Sequence, residues 1–223
     1  METRFSQRLV AEFLGTAMLL AAVVGSGIMA ERLSGGNVAI ALLANTIATG
    51  AALVALIFTF GPISGAHFNP AVTLSEVFNG SITRKDALRY IVAQISGALV
   101  GVGVANLMFD LPVYFASTKV RTGPSQWLGE FAATFGLIAV IAGCSRLQKA
   151  IVIPFAVAAY ITAAYWFTSS TSFANPAVTI ARSLSDTFAG IRPIDAPGFI
   201  IAQLLGAFFA TIIFRWLIPI NKT

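Results

Sequence analysis

Six apolar runs, each close to twenty residues long, leave this chain few ways to fold: Leu9 to Met29, Val38 to Phe60, Ala87 to Phe109, Ser125 to Cys144, Ala150 to Thr168 and Phe199 to Ile218. A helix of roughly 20 apolar residues spans the hydrocarbon core of a bilayer, so the runs predict six transmembrane crossings. With 57% hydrophobic and 10% charged residues in 223, the chain lacks the polar surface that would cover a soluble globule of this size. The runs are also too many for a signal sequence ahead of a soluble domain, and no cleavable signal is expected.

Two shorter segments remain, Asn69 to Asn79 and Asn175 to Thr187. A dozen helical residues reach only about 18 Å, which is half a membrane. Each begins with the same tripeptide, within Ser64-Gly65-Ala66-His67-Phe68-Asn69-Pro70-Ala71-Val72-Thr73 and Ser172-Phe173-Ala174-Asn175-Pro176-Ala177-Val178-Thr179. Asn is a preferred N-cap and Pro suits the first helical position, so both read as helix starts. Irregular backbone at bilayer depth is tolerated only inside protein or along a watery cavity. The pair therefore predicts two re-entrant loops whose half-helices point their positive ends into a shared cavity.

The duplication extends further. Ala11-Glu12-Phe13-Leu14-Gly15-Thr16 in the first run is echoed by Gly129-Glu130-Phe131-Ala132-Ala133-Thr134 in the fourth. Ala93-Gln94-Ile95-Ser96-Gly97-Ala98 in the third is echoed by Ala202-Gln203-Leu204-Leu205-Gly206-Ala207 in the sixth. The chain reads as a single domain over 1–223 made of repeats at about 1–115 and 120–223. Three crossings per repeat invert the second relative to the first, which places a shared site near the midplane. Basic residues set the orientation: Arg4, Arg8, Arg84, Lys85, Arg89, Arg146, Lys149, Arg215 and Lys222 fall on one side, against Arg32, Lys119, Arg121 and Arg192 on the other. By the excess of Lys and Arg inside, both termini are expected in the cytoplasm. The positive charge is dispersed at helix ends with no aromatic-interleaved patch, which fits anionic lipid and excludes nucleic acid. Cys144 is the single cysteine, so no intrachain disulfide or thiolate cluster can form, and a buried bystander role is expected for it.

In these residues the chain resembles the major intrinsic proteins, the family of aquaporins and glycerol facilitators. The resemblance rests on the paired Asn-Pro-Ala segments, the Ala-Glu-Phe-Leu-Gly-Thr opening and the two Ala-Gln-x-x-Gly-Ala motifs, and it covers nearly the whole chain. It implies an all-α integral membrane fold of six transmembrane helices and two re-entrant half-helices in an inverted, aquaporin-like repeat. It also implies one pore per subunit and assembly as a homotetramer in the cell (inner or plasma) membrane. Asn69, Pro70 and Ala71 would face Asn175, Pro176 and Ala177 at the waist, the two Asn capping their helices and offering amide donors to solute. Facing positive helix ends there exclude cations and protons, as in aquaporin-type pores.

The family's outer filter carries an Arg three residues after the second Asn. Here that residue is Val178. The remaining filter positions fall at Thr49, near Ala163, and at Ser172 or Phe173. Replacing a guanidinium with an isopropyl group removes a fixed charge and several donors, so a wide, weakly polar ring is expected. Arg182, one turn beyond Val178, reads as a vestibule charge or ion-pair partner of Asp186, with a relocated filter cation as the alternative. Charges inside apolar spans are expensive. Glu12 and Glu130 are therefore either proton carriers or, as the resemblance implies, acceptors for the loop backbone. His67, the single His, has no cluster with which to bind metal, and the resemblance implies a place beside the cytoplasmic vestibule.

These readings favour a passive channel for small neutral solutes: glycerol-like polyols, the uncharged trihydroxides of arsenic and antimony, and water. An ion- or proton-coupled secondary transporter of a small polar solute, or a mainly water-conducting aquaporin, are the alternatives. An enzyme is not expected, since no nucleophile with a base, metal-ligand cluster or phosphate loop is evident. No cofactor or metal is expected either.

Overall fold

The computed structural model describes residues 3–146 and 150–218. Lys149 and Lys222 lie outside the described residues. Among the described residues eight α-helices are formed: α1 (Phe5–Leu33), α2 (Val38–Ser64), α3 (Pro70–Asn79), α4 (Arg84–Met108), α5 (Pro124–Arg146), α6 (Ile153–Phe167), α7 (Pro176–Arg182) and α8 (Ala196–Leu217). Short 3-10 turns at Ala150–Val152 and Pro193–Asp195 precede α6 and α8.

Five helices, α1, α2, α4, α5 and α8, are long and apolar enough to cross a membrane. The sixth crossing is shorter than the apolar run from Ala150 to Thr168. Its α-helical part, α6, has 15 residues, with proline in its first turn and Thr168 in extended backbone at its end. Fifteen residues at about 1.5 Å and a 3-10 turn at about 2.0 Å per residue still reach some 28 Å, close to the bilayer core.

The fold is apolar outside and polar within. Leu14, Ile47, Val92, Leu128, Phe155 and Ile201 are exposed, whereas Glu12, Gln94, Asn106, Glu130, Thr134, Thr179 and Gln203 are fully buried. With helices long and apolar enough to cross a membrane, such an exterior suits a lipid surround. α1 packs along α4, and α5 along α8. These pairs come close because small residues line them. A methyl group at Gly97 would lie 2.3 Å from the Phe13 carbonyl oxygen, one at Gly101 2.1 Å from that of Ala17, and one at Gly206 2.4 Å from that of Phe131. The half-helices α3 and α7 each lie against both α4 and α8.

Matching polar clamps hold the loops that enter the half-helices. Glu12 Oε1 accepts from Ser64 Oγ (2.6 Å) and the His67 amide (3.0 Å), and Oε2 from the Phe68 amide and Gln94 Nε2 (both 2.8 Å). Glu130 Oε1 accepts from the Phe173 amide (2.8 Å), and Oε2 from the Ala174 amide (2.8 Å) and Gln203 Nε2 (2.6 Å). Gln94 and Gln203 also donate to Thr73 and Thr179 on the half-helices, at 2.9 and 2.8 Å. Burial without partners would be costly for these groups; the network supplies partners to both carboxylates and to the Gln94 and Gln203 Nε2 groups, whereas Gln94 Oε1 and Gln203 Oε1 have none among the described residues.

The second half-helix ends at Arg182 instead of continuing to Thr187. Its next carbonyls, of Ser183 and Leu184, accept from Ser117 (2.9 Å) and Phe115 (3.0 Å) in the loop between α4 and α5. That loop takes the backbone groups a longer helix would have used. Basic residues gather at both ends. At one, Arg8 donates to Tyr90 and Arg215 to the Phe78 carbonyl; at the other, Arg32 donates to the Phe109 carbonyl and Lys119 to that of Phe188.

Glu12→Ala and Glu130→Ala strand loop amides and should each cost about 1–3 kcal/mol per unsatisfied donor, seen as loss of monodisperse protein in size-exclusion chromatography. Normal yield with altered pH dependence of transport would instead favour a carrier role. Gly97→Ala should cost about 1–3 kcal/mol by overpacking, lowering the thermal midpoint in detergent. Gly61→Ala, where a methyl meets nothing within 4 Å, should be neutral or stabilising by up to about 1 kcal/mol.

Candidate functional site

The site is assembled where α3 and α7 begin. Asn69 and Asn175 occupy the N-cap positions with extended backbone, φ −154° and −158°, and proline follows each. Before each Asn the chain alternates into the left-handed region: Ala66 and Phe68 at φ 50° and 49°, Ser172 and Ala174 at φ 50° and 49°. Non-glycine residues seldom adopt this conformation. Here it orients the Phe68 and Ala174 carbonyls toward the opposite loop.

The Asn side chains have few hydrogen-bonding positions to spare. Asn69 Oδ1 accepts from the Ala71 amide (2.9 Å), while Nδ2 donates to the Ala174 carbonyl (2.7 Å). Asn175 Oδ1 accepts from the Ala177 (3.0 Å) and Val178 (3.3 Å) amides, while Nδ2 donates to the Phe68 carbonyl (2.8 Å). A carboxamide has two N–H donors. One from each Asn thus ties the loops together, and the other has no partner among the described residues. Pro70, Ala71, Pro176 and Ala177 are all buried at this junction.

A cavity of about 300 Å³ passes the junction. Its walls are helical stripes spaced by four residues: Leu19 and Val23 of α1; Thr49, Leu53 and Ile57 of α2; Leu137, Ile141 and Ser145 of α5; Ile153, Val157, Ile161 and Tyr165 of α6. Residues four apart share a face about 6 Å further along. The re-entrant segments add Gly65 to Asn69, Val72, Glu76, Ser172 to Asn175, Val178 and Arg182.

Most of the expected site residues meet here. Thr49, Ser172, Phe173 and Val178 line the cavity, as do Asn69, Asn175, His67 and Arg182. Ala163 does not; it lies exposed on α6. Two residues are about 200° around a helix, so Ile161 and Tyr165 face inward while Ala163 faces out. Tyr165 lines the cavity instead, its hydroxyl 3.3 Å from Thr49 Oγ1. Counting residues back from the Asn missed it; the four-residue stripe from Ile153 to Tyr165 carried the signal. The Ser172 hydroxyl is buried without a partner among the described residues. The Phe173 ring is engaged, packing edge-on to Phe199 at 5.2 Å. The His67 ring is held by Thr73 Oγ1 (3.1 Å) beside Tyr90.

Arg182 does not pair with Asp186. Asp186 accepts instead from the Thr118 amide (2.9 Å) and the Ser117 and Thr118 hydroxyls, and the Thr118 amide holds its carboxyl below the usual range. Because α7 stops at Arg182, Asp186 is no longer one helical turn away. The Arg182 Nε donates to the Ala189 carbonyl, and the guanidinium carbon lies 3.4 Å from the centroid of the Phe173 ring. Cys144 is half-buried rather than fully enclosed.

Residues 1–150 and 117–222 each match the model of the family described as major intrinsic protein. Aquaglyceroporin AqpS of Rhizobium meliloti (strain 1021) is 58% identical over 217 residues, which cover 97% of this chain and 92% of that protein. Aquaporin AqpM of Methanothermobacter marburgensis is 30% identical over 241 residues, covering 95% of this chain and 97% of that one. The X-ray structure of the aquaglyceroporin from Plasmodium falciparum shares the fold with a TM-score of 0.73 at 20% identity, covering 97% of this chain and 98% of that one. With the sequence matches spanning nearly its full length and the fold shared, this multi-pass membrane protein belongs to the major intrinsic protein family, whose members form channels for water and small neutral solutes.

Proposed function

We propose that the chain conducts glycerol-like polyols and the neutral trihydroxides of arsenic and antimony passively, together with water. The observation that carries this reading is the cavity running past the paired Asn-Pro-Ala junction, with Val178 in its wall. Asn69 and Asn175 offer donors at the waist, and apolar stripes face the carbon side of the solute. Thr49, Tyr165, Ser172, Phe173 and Val178 form the outer ring, and His67 lines the inner vestibule. The AqpS relative is named an aquaglyceroporin, which supports polyols over water alone.

The duplicated clamps support reading the halves as inverted repeats. Clustering of Arg4, Arg8, Arg89 and Arg215 at one end supports cytoplasmic termini in the cell membrane. The apolar exterior suits lipid and three identical neighbours in a tetramer. A coupled transporter is disfavoured because Glu12 and Glu130 already accept four and three hydrogen bonds, whereas a carrier must bind and release its proton during the cycle.

Stopped-flow light scattering of proteoliposomes tests the channel reading. Vesicles shrunk by glycerol or arsenite should re-swell, those shrunk by sucrose should not, and an uncoupler should change nothing. Uptake that collapses with the uncoupler would refute passive conduction. Val178→Arg should bring a second guanidinium within about 6 Å along α7 of Arg182. Glycerol and arsenite permeability should fall about tenfold more than water permeability, a barrier difference of about 1.4 kcal/mol. Equal loss for all three solutes would indicate misfolding or blockage, and no change would remove Val178 from the pore wall.

A further inference from the structure

Two guanidinium groups lie against the Phe173 ring, that of Arg121 at 5.1 Å and that of Arg182 at 3.4 Å from its centroid. They differ in how they are satisfied. Arg121 Nε donates to the Gly190 carbonyl (2.8 Å), and its Nη1 to the Ser170 carbonyl (3.2 Å) and Thr171 Oγ1 (3.4 Å). It ties loops together and is not part of the cavity wall. Arg182 lines the cavity, is 2% exposed, and has a buried Nη1 with no partner among the described residues. Among the described residues no carboxylate is within ion-pair distance of it.

A guanidinium carries five donors and keeps its charge. Leaving donors unfilled in a low-dielectric site is costly, so the unused ones call for acceptors that enter by the cavity. Arg182 lies about 6 Å beyond Val178 along α7. Helical side chains lean back toward the helix N-terminus, which for α7 is the waist at Asn175. That lean brings the guanidinium onto Phe173, two residues before Asn175, and back toward the level of Val178. Ser172 Oγ, also in the wall and also buried without a partner, adds a second hydrogen-bonding group.

We propose that Arg182 is a specificity-determining residue of the outer pore: from one turn beyond Val178 it presents a fixed positive charge and free N–H donors to neutral, acceptor-bearing solutes while repelling cations. This rests on the channel reading. Cation exclusion is thereby retained although the position three residues after Asn175 is apolar, and the width gained at Val178 remains available to solutes larger than water.

The test uses full-length protein in proteoliposomes. Arg182→Met keeps the length and the apolar stack on Phe173 but removes charge and donors. Sodium permeability should rise roughly tenfold, and glycerol permeability should fall relative to water. Arg182→Lys keeps the charge without the planar fork, so vesicles should stay sodium-tight while glycerol permeability falls. Arg182→Met vesicles that are sodium-tight with unchanged glycerol permeability, at wild-type protein density, would overturn the proposal, as would sodium leak through the wild type. If Arg182→Met does not reconstitute, Arg182→Lys decides: unchanged glycerol permeability overturns the donor role. Failure of the channel reading is a separate result, namely no passive glycerol flux through the wild type.

Discussion

A buried carboxylate that accepts the amides of a left-handed loop is the interaction on which both halves of this protein depend. Ala66, Phe68, Ser172 and Ala174 hold φ near 50°, a conformation that costs about 1–3 kcal/mol at each non-glycine residue. Glu12 and Glu130 stabilise it by accepting the His67, Phe68, Phe173 and Ala174 amides, and hydrogen bonds to a charged group contribute about 1.5–3 kcal/mol each. Strain and restraint are of the same order. The loops are therefore held in a shape that neither backbone preference nor solvation would maintain.

That shape sets the hydrogen bonding at the junction of the two loops. With the Phe68 and Ala174 carbonyls turned across the junction, each Asn spends one N–H on the other loop and its oxygen on its own helix. One donor per Asn is left at the point where two positive helix ends meet. Such a place offers hydrogen bonds to an uncharged oxygen and repels a cation. Gly97, Gly101 and Gly206 contribute from a distance, since the close approach of α1 to α4 and of α5 to α8 places both glutamates beside the loops they clamp.

Features written in local or duplicated sequence were legible in advance. Asn69 and Asn175 announce helix starts by the capping chemistry of Asn followed by Pro, and Glu12 and Glu130 announce themselves as a matched pair inside apolar runs. What depended on which way a helix face turns was less legible. Ala163 is at a plausible distance from Asn175 along the chain, yet the inward face of α6 is the Ile161 and Tyr165 face. Arg182 and Asp186 are four residues apart, which pairs charges only if a helix joins them. Hydrogen bonds from Phe115 and Ser117 end α7 first. The fate of Arg182 was set by a distant loop that no local pattern reveals.

The proposed conducting path runs beside the second half-helix, through the cavity bounded by Val178. It is tested most directly by introducing Val178→Cys in a Cys144→Ser background and measuring glycerol and water flux before and after a small mercurial. Modification should block both fluxes together and a reducing thiol should restore them, with the Cys144→Ser parent unaffected. Complete modification of the new cysteine with unchanged flux would contradict it, placing the conducting path elsewhere.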